Sequence, residues 1–281
     1  SHTAAFVIKQ VTGLPMVLDY RDPWYGNPYN ENRSRLYTKL SKALENIIIQ
    51  NANHIIFNTR SLAELYQNNF FIDKEKFTVI PNGYEGFPVI KKPVSTGNRK
   101  EIKIVHAGNL YGGRSPDNFI KAVLNVSSNH GTNIKVQLIG AEQSTHAGIK
   151  KNFGKTFADK HLEVTPRVSH SRVLQYLSDA DILLIFQQGT RVQIPKKLYE
   201  YMMCGKPILA VCENEELSKI LEECRIGYSV ADNPQIIEAA LTKLIENPED
   251  CDGDITKLEK YSNKNLSMKF AKCFDAVTGK M

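Results

Sequence analysis

"EIKIVHAGNLYGGRSPDNFIKA", residues 101–122, carries the pattern of a strand, a turn and a helix in succession. An apolar run at 102–105 leads through a glycine-dense turn into a helical pattern. Gly108, Gly112 and Gly113 fall close together and are followed by Arg114, Ser115 and Pro116. A buried strand, such a turn and then a helix form the repeating unit of doubly wound α/β sheets, whose turns hold phosphate at the helix start. The spacing matches neither the dinucleotide fingerprint nor the P-loop. Ser115 is expected to cap the helix and Pro116 to sit in its first turn. Gly112 and Gly113 allow close approach of a ligand to the backbone. Arg114 then has two readings: a clamp for a diphosphate, or a solvated arginine after a tight turn.

Similar apolar runs recur at 14–20, 54–58, 77–81, 134–140, 161–166, 181–186 and 206–211. They are rich in Val, Ile and Leu and do not alternate with polar residues, as expected of parallel strands covered on both faces. Helical patterns lie between them, at 31–50, 60–70, 116–127, 143–153, 170–178, 195–204, 215–224 and 234–246. The βαβα succession predicts an α/β fold of two Rossmann-like, doubly wound domains. The stretch 81–100, rich in Gly, Pro, Lys and Ser, reads as the seam. The expected division is 1–82, 83–255 and a last amphipathic segment at 256–281. The first domain shows only three strands and is expected to be incomplete.

Composition narrows the classes. The 281 residues are 42% hydrophobic and 23% charged, values of a globular protein with a substantial core. No apolar stretch reaches the roughly 18–20 residues of a membrane span, and no secretory leader opens the chain, so the expected compartment is the cytoplasm. Five cysteines without a C-x-x-C pair argue against zinc and against a disulfide framework. The net charge of +6 is concentrated early, residues 1–100 holding 13 Lys and Arg against 8 Asp and Glu. Without a nucleic-acid-binding motif, nucleic acid is not expected as a partner. An anionic membrane face is the more specific reading of that basic segment, and ordinary solvated charge the plainer one.

A second motif, "TRVQIPKKLYEYMMCGKPILAV", covers 190–211. Pro195 is expected to start a helix, with Lys196 and Lys197 in its first turn and Gly205 at its end. Cations there oppose the helix dipole by about 0.3–1 kcal/mol unless an anion binds, so the mismatch points to phosphate. Lys197 and Glu200 share a face at i,i+3, fitting a phosphate and a ribose diol or, more plainly, a surface ion pair. Both motifs follow predicted parallel strands at the ligand-binding edge, so together they describe a diphosphate pocket. With no P-loop lysine or metal-binding carboxylate pattern, a sugar nucleotide fits better than a nucleoside triphosphate. "DAD" at 179–181 and "NPEDCDGD" at 247–254 are read as turn and loop residues, not metal sites, and His106 as a structural histidine.

The stretches 173–186 and 194–211 resemble the donor-binding half of GT-B-fold glycosyltransferases, specifically the family-4 retaining group. "LPMVLDYRDPW" (14–24), "ANHIIFNTRSLAELY" (52–66) and "FTVIPNGYE" (77–85) resemble the later part of that group's acceptor-side domain. The resemblance implies one domain for the acceptor, one for the nucleotide sugar, and a last helix that crosses back to the first. It assigns Arg114 and Lys197 to the diphosphate, Glu200 to the ribose, and Arg167 and Val168 to the bracketing of the base. Gly108, Asn109, Gly112 and Gly113 fall in the loop that meets the diphosphate, and Ile194, Pro195 and Leu198 beside it. Two departures stand out. Val192 occupies the position of a frequent sugar-contacting glutamate, eight residues before Glu200, and Arg21–Asp22 replaces a His-Asp pair, leaving Asp22 as the cleft polar residue.

What the resemblance implies is a metal-independent hexosyltransferase with no cofactor beyond its nucleotide-diphosphate sugar donor. Its acceptor is expected to be a glycan or lipid-linked sugar in surface-polysaccharide synthesis, at the inner face of the membrane. The rival readings are a sugar-nucleotide epimerase and a non-catalytic sugar-nucleotide-binding protein.

Overall fold

The computed structural model describes residues 1–27, 34–86, 101–110 and 113–279, so most of the seam, together with Gly112, lies outside the described residues. The chain forms two compact units, residues 1–85, 191–193 and 260–281 in the first and 86–190 and 194–259 in the second. The boundaries differ from the expected ones by a few residues. Residues 191–193 join the first unit because Thr59 Oγ1 donates to the Val192 carbonyl at 2.7 Å and Gln193 Nε2 to Asp22 Oδ1 at 2.7 Å.

The first unit opens with α1 (His2–Thr12), β1 (Val17–Tyr20), α2 (Arg35–Asn51), β2 (His54–Phe57), α3 (Arg60–Phe70) and β3 (Phe77–Val79). Its three strands are parallel in the order β1-β2-β3. Ser34 and Thr59 start α2 and α3 by accepting from the amides of Tyr37 and Leu62, the side-chain capping such helices need. Leu18, Tyr20, Ile55 and Phe57 give the sheet its apolar face, against Ile48, Ile49, Leu62, Tyr66 and Phe70 of the helices.

Within that core Glu45 of α2 is fully buried. Its Oε1 accepts from the Tyr66 hydroxyl at 2.7 Å, and that hydroxyl in turn accepts from the Trp24 amide at 2.8 Å. Burial pushes the carboxyl up to about 7, against the opposing pull of its tyrosine hydrogen bonds. The folded state therefore favours the proton more than the unfolded chain does. Stability from this group is full below about 4.5, the unfolded value, and is lost as pH rises through about 7. Glu45→Gln is expected to raise the melting temperature of the first unit at pH 8 by a few degrees and to change it little, or lower it, at pH 5. Thermal melts at the two pH values check this.

The second unit continues with β4 (Ile102–Ala107), α4 (Asp117–His130), β5 (Ile134–Ile139), α5 (Gln143–Phe153), α6 (Lys155–His161) and β6 (Leu162–Thr165). It goes on through α7 (His170–Asp179), β7 (Ile182–Gln187), α8 (Lys197–Met202), β8 (Ile208–Cys212) and α9 (Glu215–Glu223). It ends with β9 (Gly227–Val230), α10 (Pro234–Glu246) and α11 (Ile255–Leu258). Six parallel strands run in the order β6-β5-β4-β7-β8-β9, the doubly wound Rossmann order. β7 and β8 are buried along their whole length, as their unbroken apolar runs predict. The last helix, α12 (Asn263–Thr278), belongs to the first unit, where Leu266, Phe270 and Cys273 pack with Val17, Ile56 and Ile80.

Three details differ from expectation. β9 was not anticipated: "GYSV" is short, half-buried after its first residue and carries no apolar run. Its glycine is required, because at φ 150° a Cβ on Gly227 would lie 1.8 Å from the Ile208 carbonyl oxygen of β8. Second, α4 begins at Asp117 with Pro116 at the cap, and Ser115 instead accepts from the Asp117 amide at 3.2 Å, two residues on. Third, α8 begins at Lys197 and not at Pro195. The amides of Leu198 and Tyr199 are spent on the carbonyls of Pro195 and Lys196 in a tight turn, so they do not point out as free donors.

Candidate functional site

The sheet reverses its strand order between β4 and β7, and in such sheets ligands bind beyond the carboxyl ends of the strands at that point. β4 ends in His106 and Ala107, and β7 ends in Gln187. Arg114, on the turn after β4, donates from Nη2 to Gln187 Oε1 at 2.7 Å. Gln187 is buried, so a neutral acceptor inside the sheet edge holds this guanidinium. Lys197, at the start of α8, sends its Nζ to within 3.4 Å of His106 Nε2. Gly108 makes the space: a Cβ there would lie 2.7 Å from the Lys197 Nζ.

Two cations thus meet at one strand edge. Burial, and then the charge of Arg114, bring the Lys197 ammonium down to about 8, with Glu200 pulling the other way. His106 is fully enclosed, and burial followed by the Lys197 charge holds its imidazole well below its ordinary value, so the ring is neutral. A half-buried pair of like charges is costly for the empty protein and favourable once an anion lies between them. Tyr201 braces the floor, its hydroxyl accepting from the Ala107 amide at 2.9 Å and donating to the Leu184 carbonyl at 3.5 Å.

The remaining expected residues are distributed around this edge. Asn109 follows Gly108, and its Nδ2 donates to Glu142 Oε1 at 3.0 Å, tying the loop after β4 to the start of α5. Gly113 has a left-handed φ of 82° and open space where a Cβ would lie. Arg167 is exposed and Val168 half-buried on the segment after β6. The next helix brings His170 Nε2 to 4.0 Å from Glu200 Oε1, so that segment and the half-buried Glu200 are neighbours. Ile194 and Leu198 are buried and Pro195 half-buried, so the side chains of the first two belong to the packing behind the edge. Asp22 lies in the first unit and accepts from Gln193. Its neighbour Arg21 is committed to structure, reaching Asp19 Oδ2 at 2.9 Å, the Ile80 carbonyl at 3.3 Å and Asn82 Oδ1 at 3.3 Å.

Sequence reasoning missed Gln187 and Tyr201. The only local signal was a polar residue ending the apolar run of β7 and an aromatic on the buried side of α8. The acidic motifs lie elsewhere. Asp181 of the "DAD" accepts from the Lys103 amide at 2.9 Å, at the amino ends of β4 and β7, opposite the two cations. In the 247–254 segment, Asp252 pairs with Arg225 at 3.0 Å and Asp254 caps α11. Among the described residues no group of His, Cys, Asp and Glu is arranged to hold a metal ion. Nor is any described helix long and apolar enough to cross a membrane.

Residues 1–85 match the family described as Glycosyltransferase Family 4. An uncharacterized glycosyltransferase of Methanocaldococcus jannaschii is 23% identical over 235 residues, 79% of this chain and 58% of that protein, so the chain spans little more than half the length of this relative. Among solved structures, the sucrose-phosphate synthase of Thermosynechococcus elongatus superposes with a TM-score of 0.74 at 12% identity, covering 100% of this chain and 72% of its own. HepE of Anabaena, solved in complex with UDP and glucose, gives 0.70 at 15% identity, covering 98% of this chain and 75% of its own. These likenesses show a fold of the GT-B glycosyltransferase class. Residues 90–262, more than half of the chain, match the family described as Glycosyl transferases group 1, and the chain belongs to that family.

Proposed function

We propose that the second unit binds a nucleotide-diphosphate sugar and that the protein transfers the sugar to an acceptor. The observation that carries the reading is the meeting of Arg114 and Lys197 at the switch point of the sheet. Two donors fixed at a half-dry edge are what a diphosphate leaving group needs. They stabilise the charge that builds on it as the glycosidic bond breaks through an oxocarbenium-like transition state. Arg114 supplies a planar guanidinium and Lys197 a point charge. Glu200 takes the ribose diol, the segment at Arg167 and Val168 brackets the base, and the loop of Gly108, Asn109 and Gly113 approaches the phosphates. Family membership and HepE, which was solved with UDP-glucose, support this class of donor.

The finer reading is a hexosyl transfer with retention of configuration, without a metal ion, onto a glycan or lipid-linked acceptor in surface-polysaccharide assembly. The basic first hundred residues suit an anionic, cytoplasmic membrane face, where such acceptors are presented. Asp22 is the proposed polar contact on the acceptor side. With Val192 where relatives place a carboxylate, the sugar is recognised differently from theirs.

A thermal-shift screen of nucleoside diphosphates and their sugar conjugates tests the donor assignment. A ligand at about a hundred times its Kd is expected to add about 2.7 kcal/mol, a shift of several degrees. No shift with any of them removes the assignment. Product analysis then separates the rivals: transfer or donor hydrolysis supports the transferase, an inverted ring carbon on an intact diphosphate the epimerase, and binding without product a sensor.

A further inference from the structure

His106 touches the site and has no part in the transfer, yet its side chain is fully enclosed and both ring nitrogens are engaged. Nδ1 lies 2.8 Å from the Leu184 carbonyl oxygen and Nε2 3.4 Å from Lys197 Nζ. A carbonyl only accepts and an ammonium only donates. The neutral tautomer with its proton on Nδ1 and a lone pair on Nε2 satisfies both contacts, while the Gly108 backbone carbonyl, which also faces the ring, favours a ring proton. A second ring proton would point an N–H at the ammonium and add a third charge beside Lys197 and Arg114. The ring plane is set by Phe186, 5.1 Å away between centroids, which is itself fully buried. Gly108 lies beside the pair: a Cβ there would stand 2.7 Å from Lys197 Nζ and 4.0 Å from His106 Nε2.

We propose that neutral His106 is a positioning residue for Lys197, its Nε2 lone pair seating the ammonium over Gly108 at the end of β4, where it meets the diphosphate. The proposal rests on Lys197 being the diphosphate-binding lysine suggested above. The ionic groups that face Lys197 are Arg114, which opposes its charge, and Glu200, which supports it. Without the lone pair the ammonium keeps the repulsion of Arg114 and loses its acceptor, so it swings out or sheds its proton.

UDP titrations by calorimetry across roughly pH 6 to 9 test this, with inorganic pyrophosphate titrated in parallel as a probe that needs no base contact. His106→Phe keeps a ring beside Phe186 and removes the lone pair. It is expected to weaken UDP about ten- to a hundredfold, the worth of one hydrogen bond to a charged group, and to move the alkaline loss of affinity to lower pH. His106→Gln, which carries an acceptor oxygen at similar reach, is expected to restore most of both. On a Lys197→Met background, which has no ammonium to seat, His106→Phe is expected to add little further loss. A histidine that only fills the core would leave the alkaline limb in place and cost the same with or without Lys197, and that result overturns the proposal. If the phenylalanine variant does not fold, nitrogen NMR of the wild-type imidazoles decides: a protonated Nε2 on His106 at neutral pH rules the seat out. Full-strength binding by Lys197→Met alone would instead defeat the donor-site reading.

Discussion

Arg114→Ala and Lys197→Ala are each expected to lower the proposed sugar transfer about 10²–10³-fold, the usual cost of deleting one preorganised donor to a developing anion. The two residues differ in kind, and so do the expected signatures. Arg114 supplies a planar fork of donors, whereas Lys197 supplies an ammonium that titrates at about 8 in the empty protein. A bound diphosphate favours the ammonium and raises that value. Affinity for the proposed diphosphate is therefore expected to be full below about 8 and to fall as pH rises above it, and in Lys197→Ala this alkaline limb is expected to be absent. Lys197→Ala also removes a desolvated cation held beside Arg114, so the empty variant is expected to melt no lower than wild type. A double variant losing little beyond either single one would mean that the two act on one group. Near-normal rates in both single variants would end the assignment of this edge to the donor.

How much of this was legible in the sequence depends on the range of the interaction. The strand-turn-helix at 101–122 and the Pro-Lys-Lys-Leu-Tyr-Glu stretch at 195–200 are local signals, and they marked both halves of the site. The partners of the two cations were not legible. Gln187 meets Arg114, and His106 meets Lys197, only because β4 and β7 lie side by side across a reversal of strand order. No periodicity records which strands are neighbours. His106 was accordingly expected to be structural, and what marks it out is the direction of its second nitrogen. The helix starts also differ from the expected ones: α4 begins at Asp117 with Pro116 at its cap, and α8 at Lys197, two residues after Pro195.

Gly108→Ala combines a backbone cost with a functional one, and the two can be separated. At φ 129° the residue occupies a region that side-chain-bearing residues rarely adopt, so alanine is expected to cost about 1–3 kcal/mol of stability. The added methyl would also stand 2.7 Å from the Lys197 Nζ. That atom ends a flexible chain, so the lysine gives way before the backbone of β4 does. The ammonium then leaves His106, and UDP affinity is expected to fall about ten- to a hundredfold, as for loss of a charged hydrogen bond. The stability cost belongs to the backbone and persists when Lys197 is replaced by Met. The affinity cost belongs to the displaced ammonium and vanishes in that background. Thermal melts and UDP titrations of the single and double variants measure both quantities. Loss of affinity of the same size with and without the lysine would show that Gly108 shapes the phosphate loop itself, not the seat of Lys197.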